Sequence, residues 1–172
     1  MPAEPARFKG YSGSCEVAVK VASFDTRYTS VRMSEDANVR QAVPFFLVAN
    51  MEASIRYYVD GLGFTIKTRW IDDGKLRWCW LELGLAALML QQFRTEGHDS
   101  WQPAGKVGEG VSICFICEDA LALYRAFTAK GIPASRPFVG NGMWVTSLAD
   151  PDGYRLEFES LTDVAEDTQL AE

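Results

Sequence analysis

The side chain best suited to chemistry in this sequence is Glu157, within DPDGYRLEFES at residues 150–160. The stretch reads as a turn followed by an alternating strand. Tyr154, Leu156 and Phe158 share the apolar face of that strand, because strand side chains alternate between faces. Glu157 therefore lies on the other face, which borders either bulk water or a cavity. In a cavity its carboxylate would anchor a ligand or a metal ion, whereas at a rim it would pair with a neighbouring arginine.

Cysteine and histidine offer little further chemistry. Cys114 and Cys117 have the spacing of a redox or metal-binding pair. They lie in VSICFICE, which predicts a strand, and residues three apart on a strand point to opposite faces. We therefore expect reduced, buried, structural cysteines. The single histidine, His98, lies in a polar and glycine-rich segment, so no nucleophilic triad is predicted.

Charge and hydropathy narrow the classes of partner. The net charge is −6 and the pI about 4.9, which argues against nucleic acid, since that affinity rests on clustered lysine and arginine. No apolar run reaches the roughly 18 residues of a membrane span, and no signal peptide is evident, so we expect a cytoplasmic protein that does not contact membranes.

The pattern of elements predicts one domain with two extensions. Residues 1–40 form an N-terminal extension with at most one strand, and Met33 is an alternative start. Residues 41–161 form the domain, and residues 162–172 form an acidic tail that we expect to be frayed.

An internal repeat divides that domain into two βαβββ modules. The first module covers residues 43–93, with Asn50 as N-cap of its helix and a hairpin turn at Asp73-Gly74. A polar linker follows, and the same order of elements returns in residues 111–160, with Asp119 as the second N-cap. The sequence therefore predicts an α+β fold.

Two segments of the chain resemble the vicinal oxygen chelate superfamily: VPFFLVANMEASIRYYVDGLGF and, later, DPDGYRLEFES. That superfamily includes glyoxalase I, extradiol dioxygenases, fosfomycin-modifying enzymes and bleomycin-binding resistance proteins. The resemblance covers about residues 42–160. It implies that the two βαβββ modules form a curved mixed sheet around a concave site, and that the protein is a homodimer.

The resemblance also implies where a metal would bind. Carried over residue by residue, the four ligand positions of the metal-dependent members fall at Val43, Leu90, Val111 and Glu157. Only the last can ligate a cation. A shifted set of Gln41, Gln92 and Glu157 contains no imidazole and would be weak. We therefore expect no metal and no cofactor.

The predicted ligand site is the concave face of the sheet. Trp78 and Trp80 would form an aromatic wall there; alternatively they pack under a helix, and Arg77 and Cys79 take their place. The predicted ligand-binding residues are Phe45, Trp78, Trp80, Leu90, Gln92, Val111, Trp144 and Glu157.

These observations favour a metal-free small-molecule-binding protein of the glyoxalase/bleomycin resistance type. It would sequester an aromatic or cationic compound resembling an antibiotic and thereby confer resistance. The alternatives are a metal-dependent lyase, isomerase or dioxygenase of the same superfamily, and a metal-independent enzyme that uses Glu157 as acid or base.

Overall fold

A computed structural model describes residues 38–39, 41–97, 100–101 and 103–171. The chain divides into two units, Met1–Arg40 and Gln41–Glu172, and the fold discussed below belongs to the second. The predictions for residues 1–37 and for His98 lie outside the described residues.

The first module has the predicted order of strand, helix and three strands. Its elements are β1 (Phe45–Val48), α1 (Met51–Ile55), a π-helix that continues α1 (Arg56–Gly61), β2 (Thr65–Asp72), β3 (Lys75–Leu83) and β4 (Ala86–Gln92). The side chain of Asn50 accepts from the backbone N–H of Ala53 at 3.0 Å, which confirms the predicted cap. The β2–β3 turn has positive φ at Asp73 and Gly74, as a tight two-residue hairpin requires.

The second module repeats this order. Its elements are β5 (Ser112–Ile116), α2 (Ala120–Ala129), β6 (Phe138–Gly140), β7 (Met143–Ala149) and β8 (Arg155–Leu161). Asp119 caps α2 by accepting from the N–H of Ala122 at 2.8 Å. The prediction of two βαβββ modules is thus confirmed.

Each module forms its own four-stranded mixed sheet. The strand orders are β1-β4-β3-β2 and β5-β8-β7-β6. In each sheet the first and last strands of the module run parallel, and the remaining pairs are antiparallel. The sheets are curved rather than closed, so the α+β fold with open concave faces is confirmed.

A single hydrophobic core joins the two modules. One face of each sheet packs into it together with the helices, whereas the opposite faces stay open. The buried members are Phe46, Val48, Met51, Tyr58, Leu62, Phe64, Cys79, Leu81, Leu88, Leu90, Phe115, Phe127, Ile132, Leu148, Leu156 and Phe158.

The DPDG turn before β8 ties the second module to the first. Oδ1 of the buried Asp150 accepts from the backbone N–H groups of residues 152, 153 and 154, and its Oδ2 accepts from the Tyr58 hydroxyl at 2.9 Å. Burial raises the pKa of Asp150, while hydrogen bonds from Tyr154 and Tyr58 oppose that rise. Asp152 accepts from the N–H of Ala49 at 2.8 Å, and the Tyr154 ring stacks on Phe46 with centroids 4.1 Å apart.

The acidic tail is ordered against β6, so the expectation that it would fray is wrong. Leu170 donates from its N–H to the carbonyl of Pro137 at 2.9 Å. The carboxylate of Glu166 accepts from the N–H groups of Asn141 and Gly142 at 2.6 and 3.2 Å. These contacts satisfy backbone groups of a strand edge and of the β6–β7 turn.

Candidate functional site

The open face of the first sheet is rich in aromatic side chains. On β3, Cys79 and Leu81 are fully buried, so Trp78 and Trp80 point to the other, open face. Trp80 lies opposite Met89 on β4, and Trp78 lies opposite Trp70 on β2. The alternative in which the two tryptophans pack under a helix is therefore not the observed one.

A groove of about 320 Å³ opens at one end of this face. Trp70 and Trp101 are 44% and 45% exposed and supply two of its walls. Phe93 meets Trp101 edge to face, with ring centroids 5.1 Å apart. The Arg94 guanidinium lies over the Trp70 ring, 5.7 Å from its centroid. The complete lining is Leu47, Trp70, Gln91, Gln92, Phe93, Arg94 and Trp101.

A larger and more polar cavity of about 700 Å³ adjoins this groove. The two share Gln92, Phe93 and Arg94. The further lining residues of the polar cavity are Ala49, Asp72, Arg77, Thr95, Glu96 and Pro103. One site can therefore offer a flat aromatic surface and charged groups side by side.

Glu157 lies on the open face of the second sheet, and its side chain is 14% exposed. Its neighbours there are Arg155, whose guanidinium is 2.9 Å from the carboxylate, and Ser147, whose hydroxyl donates at 3.3 Å. The cross-strand partner Cys114 donates from its thiol at 3.8 Å. The sequence allows two environments for Glu157, inside a cavity or at a rim beside an arginine. The ion pair with Arg155 matches the second.

Cys114, Glu157 and Glu159 form a compact cluster on this face. One donor atom from each lies within 4.8 Å of the others. Partial burial, followed by the carboxylates of Glu159 and Glu157, raises the pKa of the Cys114 thiol to about 11. Cys114 is exposed, so the expectation of a buried structural cysteine is wrong at this position.

Several predicted site residues lie where the sequence places them. Phe45, Trp78 and Trp80 share the open face of the first sheet. Gln92 does not: it lies opposite the buried Val48, on the core-facing side of β4, and lines both cavities only because it is the last residue of that strand. Glu157 has the predicted orientation but belongs to the other sheet. Contact of any of these residues with a ligand stays a prediction.

Two predicted positions are displaced by one residue. Leu90 has no exposed surface and faces the core, because the pairing of Phe45 with Met89 sets the register of β4. Met89 and Gln91 occupy the open face instead. Val111 precedes β5, which begins at Ser112, and it is Ser112 and not Val111 that lies on the strand face of Glu157.

The predicted site residue Trp144 lies on the opposite face from Glu157. It pairs with Val139 and Ser160, whereas Ser147 is the β7 residue opposite Glu157. Trp144 and Ser147 are three positions apart on β7, and side chains alternate along a strand, so they point to opposite faces. Trp144 therefore points toward the helix side of the sheet.

The corrected register changes the family's metal-ligand positions to Val43, Met89 or Gln91, Ser112 and Glu157. Even with the amide of Gln91, one carboxylate beside neutral donors and no imidazole is a poor donor set for a divalent cation. The residues at these positions do not fit the superfamily's metal.

Apart from Gln92, the residues that line the groove are not among the predicted site residues. Trp70 shares one face of β2 with Thr68, and the alternating pattern of this strand indicates that face. Phe93, Arg94 and Trp101 follow β4 in an irregular segment, where no period predicts direction. The Cys114 cluster depends on the pairing of β5 with β8, which only the fold supplies.

Residues 40–158 match the family model for the glyoxalase/bleomycin resistance protein/dioxygenase superfamily. The match spans more than half of the chain, and the chain belongs to this superfamily. No curated protein sequence matches the chain.

Solved structures support the same fold. An antibiotic-binding protein from Streptomyces sp. CB03234, TnmS3, aligns with a TM-score of 0.54 and 17% identity, covering 72% of this chain and 98% of that one. A glyoxalase/bleomycin resistance protein/dioxygenase from Nocardioides aligns at 0.54 and 19%, covering 78% and 93%. A domain of this type from Frankia sp. EAN1pec aligns at 0.56 and 17%, covering 73% and 99%. Identities this low establish the fold alone.

Among the described residues, no helix has the length and apolarity to cross a membrane.

Proposed function

We propose that this protein binds a small aromatic compound, without a metal, in the groove on the open face of its first sheet. The observation that carries the proposal is the set of half-exposed aromatic side chains around that groove. Trp70 and Trp101 keep nearly half of their surface in solvent, a costly arrangement that a flat ligand would relieve by covering it.

The chemistry around the groove favours binding over catalysis. Its lining combines aromatic and apolar side chains with two glutamines and one arginine, a composition typical of ligand pockets. In this chain, the positions that hold the metal in metal-dependent members of the superfamily carry a single carboxylate, Glu157. One structural neighbour is an antibiotic-binding protein, which is consistent with an antibiotic-like ligand and a role in resistance.

The proposal includes a homodimer. Each sheet exposes an open face with apolar side chains, among them Phe45 on the first and Ile116 on the second, 49% and 74% exposed. A second copy that sets its second sheet against the first sheet of its partner would cover both faces. That arrangement would also bring Glu157 toward the tryptophans, as the sequence prediction requires.

A thermal-shift screen of planar aromatic compounds and antibiotics tests the binding function. Ligands that bind only the folded state raise its melting temperature. Trp70→Ala should weaken the best compound by about tenfold, or roughly 1.4 kcal/mol, because only the exposed 44% of this side chain is newly covered by the ligand. Leu85→Ala, at a fully exposed position in the β3–β4 turn, is the matched control and should change nothing. Equal affinity in the two variants would refute the groove as the site.

The cluster of Cys114, Glu157 and Glu159 favours a second candidate, a metal-dependent enzyme that binds its cation outside the superfamily's usual positions. A thiolate and two carboxylates suit Zn²⁺ or Mn²⁺. Elemental analysis distinguishes the candidates: about one transition metal per chain, lost in Cys114→Ser, would support the enzyme and contradict the metal-free proposal.

A further inference from the structure

The polar cavity contains an arginine, Arg77, that has no hydrogen-bond or ion-pair partner among the described residues. Arg77 lies on β3, on the same side as the buried Cys79, and its side chain lines the cavity. Its Nε is buried and has no hydrogen-bond partner among the described residues. No ion pair within the described part of the chain neutralises the guanidinium either.

A guanidinium is always charged, and a buried N–H without an acceptor destabilises the folded protein. The carboxylates of the cavity do not relieve this. Asp72 lies 3.8 Å from Arg94, and both of these residues are about half exposed. Glu96 lines the same cavity but is exposed, and no ion pair joins it to Arg77.

The position of Arg77 relative to the aromatic groove suggests what it receives. Gln92, Phe93 and Arg94 line both the groove and the polar cavity, so the two adjoin at the end of β4. Trp70 and Arg77 point to opposite faces of the sheet, so a ligand whose ring lies against Trp70 and Trp101 would reach Arg77 around the end of β4, past Gln92.

We propose that Arg77 binds a carboxylate of the ligand, and that the ligand class is therefore aromatic carboxylic acids. The inference rests on the proposed function and narrows it. The planar fork of a guanidinium matches the two oxygens of a carboxylate, and such charge-assisted pairs are stronger than neutral hydrogen bonds. A cationic ligand would instead meet Arg77 and Arg94 at this end of the site.

Calorimetry with three matched probes tests this assignment: 2-naphthoate, 2-naphthamide and 2-naphthylmethylammonium. They share one ring system and differ in charge. The wild-type protein should bind naphthoate about tenfold more tightly than naphthamide, since charge-assisted hydrogen bonds are stronger than neutral ones, and naphthylmethylammonium most weakly.

Variants separate Arg77 from the general charge of the protein. Arg77→Gln should abolish the preference for naphthoate while leaving naphthamide binding within about twofold, and Arg77→Lys should keep part of it. Arg69→Gln removes an exposed arginine of the same sheet that does not line the cavity, and should keep the full preference. Circular dichroism melts verify that each variant is folded.

The outcomes distinguish the two proposals. Equal binding of naphthoate and naphthamide by the wild type, or a preference that persists in Arg77→Gln, would overturn the carboxylate assignment and leave the aromatic groove standing. Failure of all three probes to bind would overturn both.

Discussion

At the scale of single residues, the Tyr58–Asp150 hydrogen bond is a buried polar contact between the two modules. Both side chains are buried, and the donor and acceptor oxygens are 2.9 Å apart. Tyr58→Phe leaves a buried carboxylate oxygen without its donor, so we expect a loss of about 1.5–3 kcal/mol in the free energy of unfolding. Urea denaturation measures it. Tyr124→Phe on α2, whose hydroxyl has no hydrogen-bond partner in the described part of the chain, should cost far less, and equal losses would contradict the assignment.

The reactivity of Cys114 follows from its surroundings. Because its pKa is raised to about 11, the thiol is protonated at neutral pH, and alkylation by iodoacetamide should be slow until the pH approaches that value. Glu157→Gln removes one of the nearby negative charges, so the pKa should fall and alkylation at pH 8 should accelerate. Mass spectrometry after a fixed reaction time reports both. A wild-type rate at pH 8 equal to that of free cysteine would contradict this account.

The sequence predicts which residues of one strand share a face, but not the register of that strand against its neighbour. The face of Glu157 follows from alternation within one strand, whereas for Trp78 and Trp80 alternation leaves two alternatives that only the fold decides. Leu90 and Val111 were misplaced because their faces depend on which residue of a partner strand lies opposite. A shift of one residue exchanges the two faces, and no local pattern sets that shift.

At the scale of elements, the helix caps carry a measurable share of stability. Asn50 and Asp119 each accept a hydrogen bond from the N–H group three residues later. Asn50→Ala and Asp119→Ala should each lower the free energy of unfolding by about 1 kcal/mol. Asn50→Asp and Asp119→Asn retain an acceptor oxygen and should stay close to the wild type in the same denaturation experiment. If the conservative pair loses as much as the alanine pair, the caps are not the cause.

Elements that carry a local signal could be predicted, and those that depend on distant partners could not. Capping residues, the Asp73-Gly74 turn and the repeat itself established both modules. The widening of α1 into a π-helix appears in the bond from the N–H of Leu62 to the carbonyl of Tyr57, and no residue type in this segment signals it. The ordered tail likewise depends on β6, which lies some thirty residues earlier in the chain.

At the scale of the whole molecule, we expect a homodimer with about twice the 19.1 kDa mass of the chain. Ile116→Glu places a charge on the open face of the second sheet and should yield a folded monomer, because a buried unpaired charge strongly disfavours association. Leu85→Glu, in an exposed turn, should remain dimeric. Light scattering after size exclusion measures both masses. A wild-type monomer at micromolar concentration would contradict the dimer.

The central claim is that the groove binds an aromatic molecule without a metal, and one titration tests it most directly. The uncharged probe 2-naphthamide is titrated by calorimetry into wild-type protein before and after treatment with a chelator, and into Trp70→Ala. We predict saturable binding of one probe per chain, an affinity that the chelator leaves unchanged, and about tenfold weaker binding in the variant. Absence of saturable binding, or binding that disappears with the chelator, would contradict the claim.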